Sequence, residues 1–124
     1  MPLFILVDST TASASELFAR HLQLERKAVV IGDHTLGAVT EANYLDEEVG
    51  AGMVIAYGIN VGTAKIVLPG GEILEKKGIT PDVNCVPTED DLREKRDPCL
   101  DLAAKLAQDA IAPKATVAAA PVKE

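Results

Sequence analysis

The stretch Ser9-Thr10-Thr11-Ala12-Ser13-Ala14-Ser15-Glu16 carries most of the chemical potential of this chain, and it lies between an apolar run and an amphipathic segment. A serine at a helix start meets free backbone N–H groups and the positive end of the helix dipole, which favour an alkoxide and then an oxyanion. Small neighbours leave room for a substrate. The same hydroxyls also serve as ordinary helix caps, and local pattern does not separate the two roles. Other reactive groups are scattered. His34, in the loop before Gly37, is a side chain suited to proton transfer if it folds close to Ser13, and a solvated loop residue otherwise. His21 falls beside a helical apolar stripe and reads as a packing residue at its boundary. Lys65 alternates with Ala64 and Ile66 and faces solvent, while Lys27 opens a strand. With no metal constellation and no phosphate loop, neither a metal nor a cofactor is expected.

Three elements position that stretch. Pro2 to Asp8 is a continuous apolar run ended by a polar residue, the pattern of a strand buried on both faces of a largely parallel sheet. Ser9-Thr10-Thr11 supplies capping hydroxyls, and from Ala12 onward Ala14, Leu17, Phe18 and Leu22 recur at helical spacing, with Glu16 in the first turn. Lys27 to Gly32 is a second buried strand. The first unit is therefore a βαβ crossover, right-handed by rule. After Gly37, β-rich runs at Met53–Tyr57 and Val61–Leu68, separated by Gly58-Ile59-Asn60, predict a hairpin or meander, and Pro69-Gly70-Gly71 a tight turn. Asp97 followed by Pro98 predicts a helix start, with Leu100, Ala103, Ala104, Ala107 and Ile111 as its apolar stripe. Residues 1–111 form the folded unit, and 112–124 read as a flexible tail.

Composition narrows the partners. The chain has 124 residues, 48% of them hydrophobic and 25% charged, which is ordinary for one globular domain. A net charge of −7 repels a phosphate backbone, and 3% aromatics offer few stacking surfaces, so nucleic acid is not an expected partner. No run approaches the length of a membrane span or a secretory signal. Cys85 and Cys99 lie too far apart for a CxxC motif and form either one disulfide or two reduced thiols. The mixed-sign run from Glu89 to Asp97 reads as a solvated face.

Val7 to Ala19, then Ala28 to Gly37, resemble the catalytic stretch of the carboxyl-terminal processing (tail-specific) serine peptidases, and Gly78-Ile79-Thr80-Pro81-Asp82 resembles their closing motif. The resemblance covers about residues 2 to 84. It implies an α/β fold with the crotonase-like or Clp-protease-like β-β-α core, N-terminally incomplete. It also implies a polypeptide substrate, and a periplasmic or other extracytoplasmic location that a Cys85–Cys99 disulfide would suit. By the same resemblance Ser13 is the nucleophile, and the backbone N–H of Ala14 is one oxyanion donor. The second donor belongs to an upstream glycine loop that this sequence does not contain.

Two departures bear on mechanism. Serine is a poor nucleophile until a base removes its proton. Where the common branch has a lysine, and four residues later a glutamine, this chain has Ala38 and Ala42. Three explanations follow. A branch resembling the Tricorn protease core takes a histidine from the missing N-terminal half and orients it with a glutamate, here Glu75, whose plainer reading is a solvated charge beside Lys76 and Lys77. His34 substitutes as base. Or the chain is an inactive pseudopeptidase or fragment that binds extended peptides without cutting them.

Overall fold

A computed structural model describes residues 2–112. The expected tail at 112–124 lies almost wholly outside the described residues. Eight elements follow in order: β1 (Leu3–Val7), α1 (Ala14–Leu24), β2 (Ala28–Gly32), β3 (Thr40–Val49), β4 (Ile55–Lys65), β5 (Val83–Asn84), α2 (Glu89–Arg93) and α3 (Pro98–Ile111). The fold is α/β.

The βαβ unit forms as its apolar runs dictate. β1 pairs in parallel with β2, Leu3 opposite Ala28 through Val7 opposite Gly32, and β2 pairs in parallel with the short β5. Gly32 is required by close approach, since a Cβ there would lie 1.8 Å from the Val7 carbonyl oxygen. The strand order β1-β2-β5 corrects one expectation. β1 is an edge strand among those described, not one buried on both faces, and Leu3 and Leu6 remain 43% and 42% exposed. The core consists of Val7, Ala19, Val30, Val39, Leu74 and Ile79, with Ile5, Leu17, Ile66 and Leu68 packed against it. It gathers the sheet, α1 and the 66–79 segment around the base of the serine loop.

The hairpin exists, but its turn is elsewhere. β3 and β4 pair antiparallel from Thr40–Lys65 to Val49–Ile55, so the chain reverses at 50–54 and runs straight through Gly58-Ile59-Asn60. Gly58 is not a turn glycine: the Tyr44 ring lies across it, with the hydroxyl 1.8 Å from where a Cβ would stand. Every residue of both strands is exposed.

α3 begins as predicted. The Asp97 carboxylate accepts from Cys99 N–H and Leu100 N–H at 3.1 and 2.9 Å, and Pro98 occupies the first turn, where its missing donor costs nothing. Its inward face is only partly the expected one: Ala103 is buried and Ala107 half-buried, with Cys99 beside them, whereas Leu100, Ala104 and Ile111 are exposed. Residues 89–93 of the mixed-sign run form a short helix, α2, capped by Thr88. Cys85 and Cys99 form a disulfide, which ties the end of β5 to the first turn of α3.

Candidate active site

The loop leaving β1 is closed by Asp8. Its Oδ1 accepts from Thr10 N–H (2.9 Å), Thr10 Oγ1 (2.8 Å) and Thr11 Oγ1 (3.1 Å). The Thr10 hydroxyl, its N–H and then the Thr11 hydroxyl hold the Asp8 carboxyl below its ordinary pKa. These threonines do not cap α1 as expected: they precede its N-cap position, and their hydroxyls turn back to donate to Asp8. The helix starts at Ala14 instead, with Ser13 at the N-cap position.

Ser13 has φ 57° and ψ −127°, a backbone conformation that residues other than glycine rarely adopt and that costs on the order of 1–3 kcal/mol. Its N–H donates both to the Ala38 carbonyl (2.9 Å) and to Glu16 Oε2 (3.1 Å), while its own carbonyl accepts from Glu16 N–H and Leu17 N–H. Ser13 and Glu16 face each other in a capping-box arrangement, yet among the described residues no cap hydrogen bond to the Ser13 hydroxyl is formed. Ser13 is exposed. Among the described residues, neither Ala14 N–H nor Ser15 N–H has an acceptor. The expected nucleophile and the expected oxyanion donor thus stand together at the helix start, both unspent. A cavity of about 310 Å³ lies beside the helix start, lined by Ile5, Leu6, Thr11, Ala14, Ser15 and Phe18 among others but not by Ser13.

Two further segments build the floor beneath Ser13. Thr35 N–H donates to the Ile79 carbonyl (3.2 Å), and Thr35 Oγ1 accepts from Ile79 N–H (2.7 Å). Gly78, at φ 65°, fits because a Cβ would lie 2.3 Å from the Thr35 carbonyl oxygen. Asp82 accepts from Val30 N–H (2.8 Å), which places the end of the 78–82 motif along β2. This motif works as a structural clasp.

Glu75 lies in the turn before that clasp and accepts from Val39 N–H (2.7 Å). The Thr40 hydroxyl, then Val39 N–H and the nearby Lys76 charge hold its carboxyl below the usual range. It is half-buried and hydrogen-bonded, not a freely solvated charge. The Ala38 carbonyl and Val39 N–H belong to one peptide unit, so Ser13 and Glu75 bind its opposite ends, and Ser13 N is no more than about 8 Å from Glu75 Oε2 along that path.

The other candidates do not join them. His34 Nε2 lies 2.5 Å from the Lys77 carbonyl, which commits that nitrogen as a donor and turns the ring toward the clasp. His21 is exposed instead of packed. Lys65, at the end of β4, is exposed as expected. Ala38 is exposed, and Ala42 lies on β3 at a bulge. Sequence reasoning missed Glu16 as a site residue: its two oxygens accept from Ser13 N–H, Ala38 N–H, Gly37 N–H and the Thr35 hydroxyl. The signal was there in the Ser13-x-x-Glu16 spacing of a capping box.

A parallel βαβ unit with an exposed serine of unfavourable φ at its helix start defines an α/β protein. Residues 1–85 match peptidase family S41, and the chain belongs to that family. It is 33% identical over 98 residues to the chloroplastic carboxyl-terminal-processing peptidase 1 of Arabidopsis thaliana, covering 79% of this chain and 19% of that protein. The carboxyl-terminal-processing protease of Picosynechococcus is 36% identical over 88 residues, covering 71% of this chain and 20% of that protein. The chain therefore spans about a fifth of the length of these relatives. Among solved structures, the photosystem II D1 C-terminal processing protease matches 70% of the chain at 31% identity and a TM-score of 0.51, over 21% of its own length. Mature CPAF shares the fold over 94% of the chain and 22% of its own, with a TM-score of 0.68 at 21% identity. No helix among the described residues is long and apolar enough to cross a membrane.

Proposed function

We propose that this chain is the C-terminal portion, residues 1–111, of the catalytic domain of a serine peptidase acting on extended polypeptide tails, with Ser13 as nucleophile. The observation that carries this reading is the exposed Ser13 hydroxyl, uncapped and held in a strained backbone conformation beside the free N–H groups of Ala14 and Ser15. Ser13 Oγ attacks the scissile carbonyl carbon as a base takes its proton. The carbonyl oxygen becomes an oxyanion facing the Ala14 N–H. Collapse breaks the C–N bond, the leaving amine takes the proton from the base, and water then hydrolyses the acyl-enzyme by the reverse proton path.

The base comes from outside this sequence, as in the Tricorn-like arrangement, and Glu75 orients it. Two features support this: Glu75 is kept anionic by Thr40 and Val39, and His34 is committed to the Lys77 carbonyl. Expected substrates are polypeptides, not nucleic acid, in keeping with a net charge of −7. The Cys85–Cys99 disulfide supports an extracytoplasmic, periplasm-like compartment.

A second reading has its own support. With alanine at 38 and 42, the chain binds extended peptides without cleaving them. Fluorophosphonate labelling of the protein in its full reading frame separates the two. Labelling of Ser13 that Ser13→Ala abolishes supports the peptidase, and peptide binding with no labelling supports the binding module.

A further inference from the structure

Glu16 is 0% exposed, and burying a carboxylate is costly unless its oxygens are filled. They are filled in pairs. Oε1 accepts from the Thr35 hydroxyl at 2.5 Å and from Gly37 N–H at 2.8 Å; Oε2 accepts from Ala38 N–H at 3.0 Å and from Ser13 N–H at 3.1 Å. Every partner is a donor, the complement of a carboxylate and not of an amide. One of these partners is the amide of Ser13 itself, the residue with the unfavourable φ of 57°. Ser13 N–H is shared with the Ala38 carbonyl, and Ala38 N–H returns to the same Glu16 oxygen, so Ser13, Glu16 and Ala38 form a closed ring of hydrogen bonds.

We propose that Glu16 is the positioning residue of this site: it holds Ser13 in its positive-φ conformation, and so aims the hydroxyl, by clamping the Ser13 amide against the 37–38 loop. The proposal rests on the reading of Ser13 as nucleophile. A residue needed only for packing would be replaced adequately by glutamine, which has nearly the same shape. Here glutamine does not suffice, because whichever oxygen becomes NH2 then faces two donors.

The test uses the full chain and two readouts. By NMR, Glu16→Gln is expected to move the Ser13 and Ala38 amide protons upfield and to shift the Ser13 Cα resonance away from its wild-type value, with the Val30 and Ile31 amides of β2 unchanged. Unmoved Ser13 resonances overturn the proposal. The fluorophosphonate labelling rate, taken well below both melting temperatures, is expected to fall by at least about tenfold, and a deficit that disappears on further cooling marks a merely structural role and overturns it. Should Glu16→Gln fail to fold, Thr35→Val, which removes one donor from the far oxygen together with the acceptor of Ile79 N–H, is read at the Ser13 and Ala38 amides in the same way, with the Ile79 amide reporting the second loss. A wild-type protein in its full reading frame that is not labelled removes the nucleophile reading of Ser13, and the NMR comparison then decides the role of Glu16 in setting the Ser13 backbone.

Discussion

Ser13 and Glu75 bind the two ends of a single peptide group: the Ala38 carbonyl takes the Ser13 N–H at 2.9 Å, and the Val39 N–H on the opposite side goes to Glu75 at 2.7 Å. Because a peptide unit is planar and rigid, its carbonyl and N–H point apart, and the distance between the serine and the acid is set by that one plate. The acid is thus linked to the serine backbone through one peptide group, without touching it.

Glu75 should titrate below the ordinary range for a glutamate. Its folded pKa is depressed, chiefly by the Thr40 hydroxyl, so its contribution to stability is present above the unfolded value and is lost as pH falls through the folded one. A carbon-detected carboxyl titration should place the midpoint below 4.5, with the Val39 amide following it, and Thr40→Val should raise that midpoint.

Restoring the residues of the common branch should activate the serine. Ala38 is exposed and its backbone already contacts Ser13, so Ala38→Lys with Ala42→Gln brings an amine to the site. Ser13 labelling should then rise by more than about tenfold, the lower side of what a positioned base supplies. An unchanged rate would show that position 38 is out of reach of the hydroxyl.

Gly78→Ala should loosen the floor of the site. At φ 65° a methyl group is strained, and it would stand 2.3 Å from the Thr35 carbonyl oxygen. A loss of about 1–3 kcal/mol in urea unfolding is expected, with slower Ser13 labelling because Thr35 also holds Glu16.

Breaking the disulfide should destabilise the fold. Cys85 and Cys99 are 14 residues apart, and a loop of that size contributes about 3 kcal/mol in the chain-entropy model. Cys85→Ser/Cys99→Ser should melt lower than the oxidised protein and match it in reductant; a melting point that ignores reductant contradicts this.

Acid should weaken the cap of α2 late. The Thr88 hydroxyl, Thr88 N–H and Arg96 draw the Asp91 carboxyl down from 3.8 to about 2, so its support survives to roughly pH 4 and is lost as pH falls toward the folded value. Asp91→Asn should flatten stability against pH in that window, followed by the Thr88 amide.

Much of this fold is legible in the residues. Two apolar runs and a helical stripe give β1-α1-β2, and Asp97-Pro98 gives α3, because strand burial and caps are local physics. The hairpin turn is not legible, since Gly58 looks like punctuation until the Tyr44 ring is seen to occupy its missing side chain. The exposed residues of β1 are equally hidden, because an apolar run does not say which strands will flank it. Ser13 is readable as a helix-start serine. Glu16 reads only as a first-turn acid, because its partners at 35–38 come from a loop about 20 residues on, and single-sequence patterns do not see such contacts.

The ring around Ser13 meets position 38 only through main-chain atoms, and Ala38 is exposed, so it is indifferent to what hangs from that one position. Exchanging the side chain at 38 therefore leaves the scaffold standing. A lineage can shed one proton acceptor and recruit another from a different part of its enzyme without rebuilding the socket in which the serine sits.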